Sequence, residues 1–507
     1  MPKQWEIKEA DNLSVKKLAQ ELNVSEIIAR LLVLRGINTY EEAKMFFRPK
    51  LKYLHNPFLM KNMWNAVNRL SLAIKNNEKI LVYGDYDVDG TTSVAMMYSF
   101  LKEQTQNIDV YIPCRYQEGY GVSTKGIDYA EANGFSLIIA LDCGTRAINQ
   151  VEYAKERGIE FIICDHHNTA EKTPDAIAVL NPKQRDCNYP YKELSGCGVG
   201  FKLIQAYSLQ HNISFETIIQ YLDLLVVSIG ADIVDMTGEN RVLAFYGLKQ
   251  INSNPRTGLK VLLEVSSRTK NLNMSDIVFG IAPRINAAGR IDHAKKAVEI
   301  LVEKDYNQAK LLSKGIEQNN QKRKGLDQAI TKEALAMVDK NKKSTVVYSD
   351  KWHKGVVGIV ASRLIESHYK PTIVFAEDEG LFTGSARSVH GFDVYAAILK
   401  CSNFCEKFGG HKYAAGLSVK KENLQSFINA FEEAVSEKIT VGQLSPKIEI
   451  DLEIDINSVD EKLLRIIKQF APFGPLNMQP VFISRGVFDD GYAKKIGADK
   501  SHLRINL

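Results

Sequence analysis

A chain of 507 residues exceeds what one ordinary core organises, so roughly two to four domains are expected. With 45% hydrophobic and 25% charged residues, no run near ~18 apolar residues and no signal-peptide core in "MPKQWEIKEADN", the composition argues against secretion or membrane insertion. It predicts a soluble, cytoplasmic protein whose seven scattered cysteines stay reduced, and its net charge of +5 permits a nucleic-acid partner without demonstrating one.

In chain order, helical spacing in "SVKKLAQELNVSEIIARLLVLRGI" and "NAVNRLSLAI" predicts a helical lead-in over 1–76. Short β-branched runs follow at 79–84, 108–113, 136–142 and 160–165, with helix-like "TTSVAMMYSFLKE" and "RAINQVEYAKERG" between them. Strand and helix alternating in this way predict βαβ units and a mostly parallel sheet, giving an α/β domain over 77–305. "YLDLLVVSIGADIVD" reads as a helix ending in acids. Strong helix formers over 306–343 predict a connector helix on the order of 50 Å long, its continuity left open by Gly315 and Gly325. A smaller α/β domain is expected over 344–440. Alternating strands after 445 suggest a β-rich last unit that is incomplete.

Three acids, Asp85, Asp87 and Asp89, sit in the strand-to-helix loop "DYDVDG". Asp142 ends the next apolar run but one, Asp165, His166 and His167 end another, and Asp232 and Asp235 close the apolar helix. In an open parallel sheet the carboxyl ends of the strands share one edge, where ligands bind. Carboxylates with imidazole and no matching thiolate suit Mg²⁺ or Mn²⁺. So many anionic ligands suggest two ions roughly 3.5–4 Å apart, the arrangement that stabilises attacking and leaving oxygens in phosphoryl transfer. Asp232 is the better ligand candidate, with Asp235 a supporting or helix-capping acid. Taken alone, "DYDVDG" would also fit a solvated or calcium-binding loop.

"FGGHKYAAG" offers glycine N–H groups to a phosphate, followed by small residues expected to start a helix, or else a tight turn. "GSARS" offers hydroxyls and a guanidinium, or an ordinary polar loop. Tyr116 and Tyr120, beside Arg115, could stack on bases or simply pack. The cysteine spacings do not complete a zinc site, and "SGCGVGFK" lacks a Walker lysine pattern.

The ordered set "DYDVDG", "LDCG", "CDHH" and "GADIVD" resembles the DHH phosphoesterase superfamily, and "GGHKYAAG" resembles the DHHA1 domain that often follows it. "IPCRYQEGYG", "LSGCGVGFKL", "APRINAAGRI", "GSARS" and "APFGP" are similar to one branch, the RecJ single-strand-specific exonucleases. The resemblance implies a parallel-sheet DHH domain and a smaller α/β DHHA1 domain joined by a long helix, then the start of an OB-like domain over 445–507. It implies a 5′-to-3′ exonuclease that hydrolyses single-stranded DNA to mononucleotides with Mn²⁺ or Mg²⁺, in repair and recombination. Carried over by position, Asp85, Asp87, Asp89, Asp142, His166 and Asp232 are metal ligands, with Asp142 bridging, and His167 faces the scissile phosphate. Arg115, Arg284 and Arg290 hold the strand, while Ser385, Arg387 and His411 grip the terminal phosphate. Tyr83 stands where small phosphatase relatives place a metal-binding histidine, and Leu476 stands where the last motif has a glycine. Expected partners are single-stranded DNA, a helicase and a single-strand-binding protein, with no membrane and a monomeric state. The alternatives are a phosphodiesterase of short oligonucleotides or cyclic dinucleotides, which shares the ligands but is shorter, and a non-catalytic scaffold, which would be expected to lose them.

Overall fold

The β-branched runs beyond residue 78 form one five-stranded parallel sheet in a computed structural model, which describes residues 3–497 and 500–505. The strands, in spatial order, are Ile108–Tyr111, Ile80–Gly84, Leu137–Leu141, Glu160–Cys164 and Ala178–Leu180. Alternate residues face opposite cores: Ile80 and Val82 join one cluster with Val94 and Phe201, whereas Leu81 and Tyr83 join another with Ile127 and Phe161. Burial on both faces explains why these runs read as continuous apolar stretches rather than alternating ones.

The connector is a single helix, Tyr306–Ala336, of 31 residues, about 46 Å at ~1.5 Å per residue. It runs unbroken through Gly315 and Gly325, which settles its continuity. Ile316 packs into the core of the first domain, while Ile330 and Ala334 pack with Val347, Val360 and Val374 of the second. One helix is thereby built into both cores.

The second domain is a mixed sheet in the order Cys405–His411, Ala414–Lys420, Leu381–Arg387, Thr372–Asp378 and Thr345–Ser349. Its last pair is parallel and the others antiparallel. "GGHKYAAG" does not start a helix, contrary to the sequence expectation. It forms a hairpin in which Gly409 faces Gly416 and Gly410 faces Ala415. Gly410 has φ +147°, and a Cβ there would press on the backbone of Ala414 and Ala415. The small residues therefore meet a cross-strand steric demand and do not signal helix propensity.

Both domains lie in one compact unit, Lys50–Pro446. A second unit combines the segment up to Pro49 with that from Lys447. In it, Gln4–Ile7 pairs in parallel with Lys447–Ile450, and Val15, Leu31 and Phe46 bury against Leu463 and Phe470. Among the described residues no helix is long and apolar enough to cross a membrane. All seven cysteines are free thiols.

Candidate metal centre and phosphate grip

The strand order reverses beside Ile80–Gly84, so the crevice between its carboxyl end and that of Leu137–Leu141 is the natural ligand site. Asp85–Asp89 and Asp142 leave these two strands on either side of that crevice. His166 Nε2 lies 3.2 Å from Asp142 Oδ1, 3.5 Å from Asp232 Oδ2 and 3.8 Å from Asp89 Oδ2. Three groups have ligand atoms within 4.8 Å of one another: Asp85–Asp87–Asp142, Asp89–His166–Asp232 and Asp142–His166–His167. Every sequence-derived metal candidate falls in this cluster, and Asp142 belongs to two of the groups. Asp235 does not join them; its carbonyl accepts from Tyr191 and Asn240. Nor does Tyr83, whose ring stacks on Tyr111 at 5.4 Å in the other core and whose hydroxyl donates to the Gly121 carbonyl.

The backbone is shaped around these acids. Asp142 has φ +59°, the left-handed region that aspartate tolerates better than most residues. A Cβ on Gly196 would collide with Asp142. Asp89 accepts from the N–H groups of Gly196 (2.6 Å) and Cys197 (2.9 Å), at the start of helix Gly196–Gln210, and from the Ser228 hydroxyl (2.7 Å). That is the physical role of "SGCGVGFK", a stretch the sequence had tied to the family resemblance and excluded from nucleotide binding, without a role of its own.

Five carboxylates in this space cannot all be charged without compensating cations. Burial, reinforced by Asp89 and Asp87, holds Asp142 well above the usual carboxylate range. Burial, then Asp87, does the same to Asp85. Burial with Asp89 and Asp87 pushes Asp232 up to about 9. Burial lowers His166, favouring the neutral ring that can ligate a metal. Asp85 Oδ1, Asp142 Oδ1 and both ring nitrogens of His166 are buried without a hydrogen-bond partner. Orphaned buried donors and acceptors are costly, and oxygen and imidazole atoms converging in this way fit Mn²⁺ or Mg²⁺.

His167 is held differently. Its Nδ1 lies 2.7 Å from Asp165 Oδ1, and Tyr120 Oη lies 2.9 Å from its Nε2. Burial alone would lower it, but the hydrogen bond and charge of Asp165 raise it. Asp165 also accepts from the N–H groups of Thr145, His166 and His167. Asp165 was visible at its strand end, yet its task of orienting His167 was missed; the Asp-His-His run was the available signal. His167, Asp165, Tyr120, Gly409, Gly410 and His411 line a cavity of about 640 Å³, placing His411 across from the catalytic candidate.

Arg115, Arg290 and Arg387 form a second cluster. Arg115 lies over the Tyr86 ring at 4.6 Å, Arg290 donates to the Gly355 carbonyl, and Arg387 donates to Ser385 Oγ at 2.9 Å. None has a carboxylate partner among the ion pairs of the described residues. Burial, followed by the charges of Arg115 and Arg387, pushes Arg290 down to about 10. Gly358, in the first turn of helix Val357–Ser367, leaves room for Ser385 and the Arg387 guanidinium, which a Cβ would crowd. Arg284 is engaged elsewhere: its Nε donates to Glu317 of the connector at 2.8 Å.

Comparison with known proteins matches the DHH family, N-terminal domain, over residues 79–229, the DHHA1 domain over 341–437 and the RecJ OB domain over 450–507. The single-stranded-DNA-specific exonuclease RecJ of Bacillus subtilis is 37% identical over 99% of this chain, which spans 64% of that protein's length. The Escherichia coli protein of that name is 32% identical over 90% of this chain and 82% of its own length. The crystal structure of Thermus thermophilus RecJ with Mn²⁺ superposes with a TM-score of 0.86 at 26% identity, covering 99% of this chain and 72% of that one. Its Mg²⁺ complex gives 0.81 at 25% identity, covering 99% and 71%. With the ligand cluster intact and the likeness running across both domains and beyond, the chain belongs to the RecJ family.

Proposed function

We propose that this protein is a metal-dependent exonuclease that degrades single-stranded DNA from its 5′ end to mononucleotides. The observation that carries the reading is the acid–histidine cluster beside arginines that have no carboxylate ion-pair partner among the described residues. A terminal phosphate carries more charge and more acceptor oxygens than an internal diester, so three guanidiniums with Ser385 favour a strand end. The 5′ polarity is the one the family resemblance implies.

Asp85, Asp87, Asp89, Asp142, His166 and Asp232 would hold the cations, which when bound supply an activated water and neutralise charge on the phosphodiester. His167, held by Asp165, whose hydrogen bond and charge raise its pKa, is placed to donate from Nε2 to the phosphate oxygens as charge builds. His411 faces it across the cavity, where a strand passing between the domains would lie. Arg115, Arg290 and Arg387 fix the end and so set which bond reaches His167. The reading extends to a monomer acting in the cytoplasm in repair and recombination, with a helicase supplying the strand and a single-strand-binding protein covering it. Sedimentation of the purified chain tests the first of these, and stimulation of nuclease rate by a helicase on duplex DNA tests the partner.

The deciding experiment is incubation with Mn²⁺ and 3′-labelled single-stranded DNA, blunt duplex DNA and a dinucleotide. Shortening of the single strand from its 5′ end with the duplex spared is the expected result; cleavage of the dinucleotide alone would move the protein to small substrates. Asp142→Asn keeps shape and left-handed tolerance while removing the charge, and should abolish cleavage with the melting temperature little changed. Asp89→Ala is a poorer probe, since it strands three buried donors at a cost of about 1–3 kcal/mol each.

A further inference from the structure

The loop from Cys114 to Gly121 touches both functional clusters. Its base is fixed: Glu118 accepts from the Cys114 N–H (2.7 Å), the Tyr111 hydroxyl (2.9 Å) and the Ser123 hydroxyl (2.6 Å). From that base Arg115 enters the arginine cluster, while the Tyr120 hydroxyl reaches His167 Nε2 at 2.9 Å. Between them Tyr116 crosses to the second domain. Its hydroxyl donates to the Arg290 carbonyl, and Lys354, itself tied to Asp378 at 2.6 Å, lies over its ring at 4.7 Å. Arg290 in turn donates from a terminal guanidinium nitrogen to the Gly355 carbonyl at 3.1 Å. Gly355 has no room for a Cβ, which would meet the Tyr116 hydroxyl and the Arg290 carbonyl. Tyr116, Arg290 and Gly355 thus form a clasp, and Tyr116 is committed to it rather than free to stack on a base.

We infer that Tyr116 is a positioning residue through which occupancy of the arginine cluster by a terminal phosphate sets the position of Tyr120 on His167. The inference rests on the exonuclease reading and goes beyond it. Before substrate arrives, Tyr120 holds the ring nitrogen that the scissile phosphate needs. Three guanidiniums of like charge resist closer approach until an anion sits among them. A phosphate that draws Arg115 and Arg290 together moves the loop carrying Arg115 and held by Tyr116, and Tyr120, on the same loop, yields His167 Nε2. The terminal phosphate then favours the productive arrangement as well as binding, a coupling between two sites through one segment.

The test compares kcat and KM of the full chain on single strands with a 5′-phosphate or a 5′-hydroxyl, for the wild type, Tyr116→Phe and Arg387→Ala. The wild type should show kcat about tenfold higher on the phosphorylated strand. Tyr116→Phe, which removes only the hydroxyl, should bring the two kcat values within about twofold while KM on the phosphorylated strand changes little. Arg387→Ala should instead raise that KM. Gly355→Ala, which forces the clasp apart, should reproduce the Tyr116→Phe pattern. A Tyr116→Phe enzyme that keeps the wild-type kcat ratio overturns the inference, as does a wild type in which the phosphate alters KM alone. A wild type inert on both strands fells the exonuclease reading itself and this inference with it.

Discussion

Asp165 enters none of the three ligand groups, yet four donors converge on it and through it His167 is aimed. Burial alone would raise its carboxyl, but the His167 hydrogen bond and charge and the surrounding N–H groups hold it well below the usual range. Asp165→Asn should cut kcat by about 10–100-fold while leaving Mn²⁺-induced thermal stabilisation in place. Loss of both would mean that it supports the fold or the metal cluster instead. The acids themselves were legible because sheet topology sends strand ends to one edge whatever the details. Tyr83 was ambiguous only against family patterns; the alternation that sends Val82 to one core and Tyr83 to the other removes it from the metal site. Leu476 gives a second residue-scale prediction. It has φ +58° and is exposed, at the position where the resemblance leads one to expect glycine. Leu476→Gly should stabilise its unit by about 1 kcal/mol, read by calorimetry; no gain would mean that its side chain offsets the backbone cost.

Among the elements, the connector shows how far propensity carries a reading. Its composition predicted a helix, but two glycines left open whether it was one or two. Anchorage at both ends, by Ile316 in one core and Ile330 with Ala334 in the other, decides the matter through tertiary packing, which no local window contains. A Cβ at Gly315 or Gly325 would meet nothing within 4 Å. Gly315→Ala and Gly325→Ala should therefore each stabilise the protein by about 0.5–1 kcal/mol in denaturant titrations. A reduced nuclease rate in either variant would show that the helix must bend during turnover. The hairpin at Gly409–Gly416 was misread for the opposite reason. A run of glycine and alanine carries little strand signature, and only cross-strand pairing gives it meaning.

At the scale of the molecule, the second unit had no local signature at all. Helices stand where helical spacing was read, at Asn12–Leu22, Glu26–Val33 and Tyr40–Phe47, but the strand Gln4–Ile7 in that lead-in and the helix Glu461–Lys468 among the terminal strands were not foreseen. The lead-in divides at Pro49 rather than running to 76, and nothing within a window announces that Phe46 and Phe47 meet Phe470 edge-on, with centroids 5.2 and 5.3 Å apart. Arg35 completes the join, donating to Asn477 and to the Met478 carbonyl. Deleting residues 447–507 should leave residues 50–446 resistant to limited proteolysis while the segment before them is cut. Resistance of both would show that the early helices hold together without Leu463 and Phe470.

The pairing of Gln4–Ile7 with Lys447–Ile450 also sets a clock on biosynthesis. The partners are separated by about 440 residues, and a ribosome working at roughly 5–20 residues per second needs on the order of 20–90 s to deliver the second after the first. Through that interval the emerging early strand lacks its pairing partner and the early helices, though packed on one another, lack Leu463 and Phe470, while the domain between them is already able to close. The earlier-made partner of this pair thus waits longest to finish folding, and its waiting surface is where a nascent-chain chaperone has most to protect.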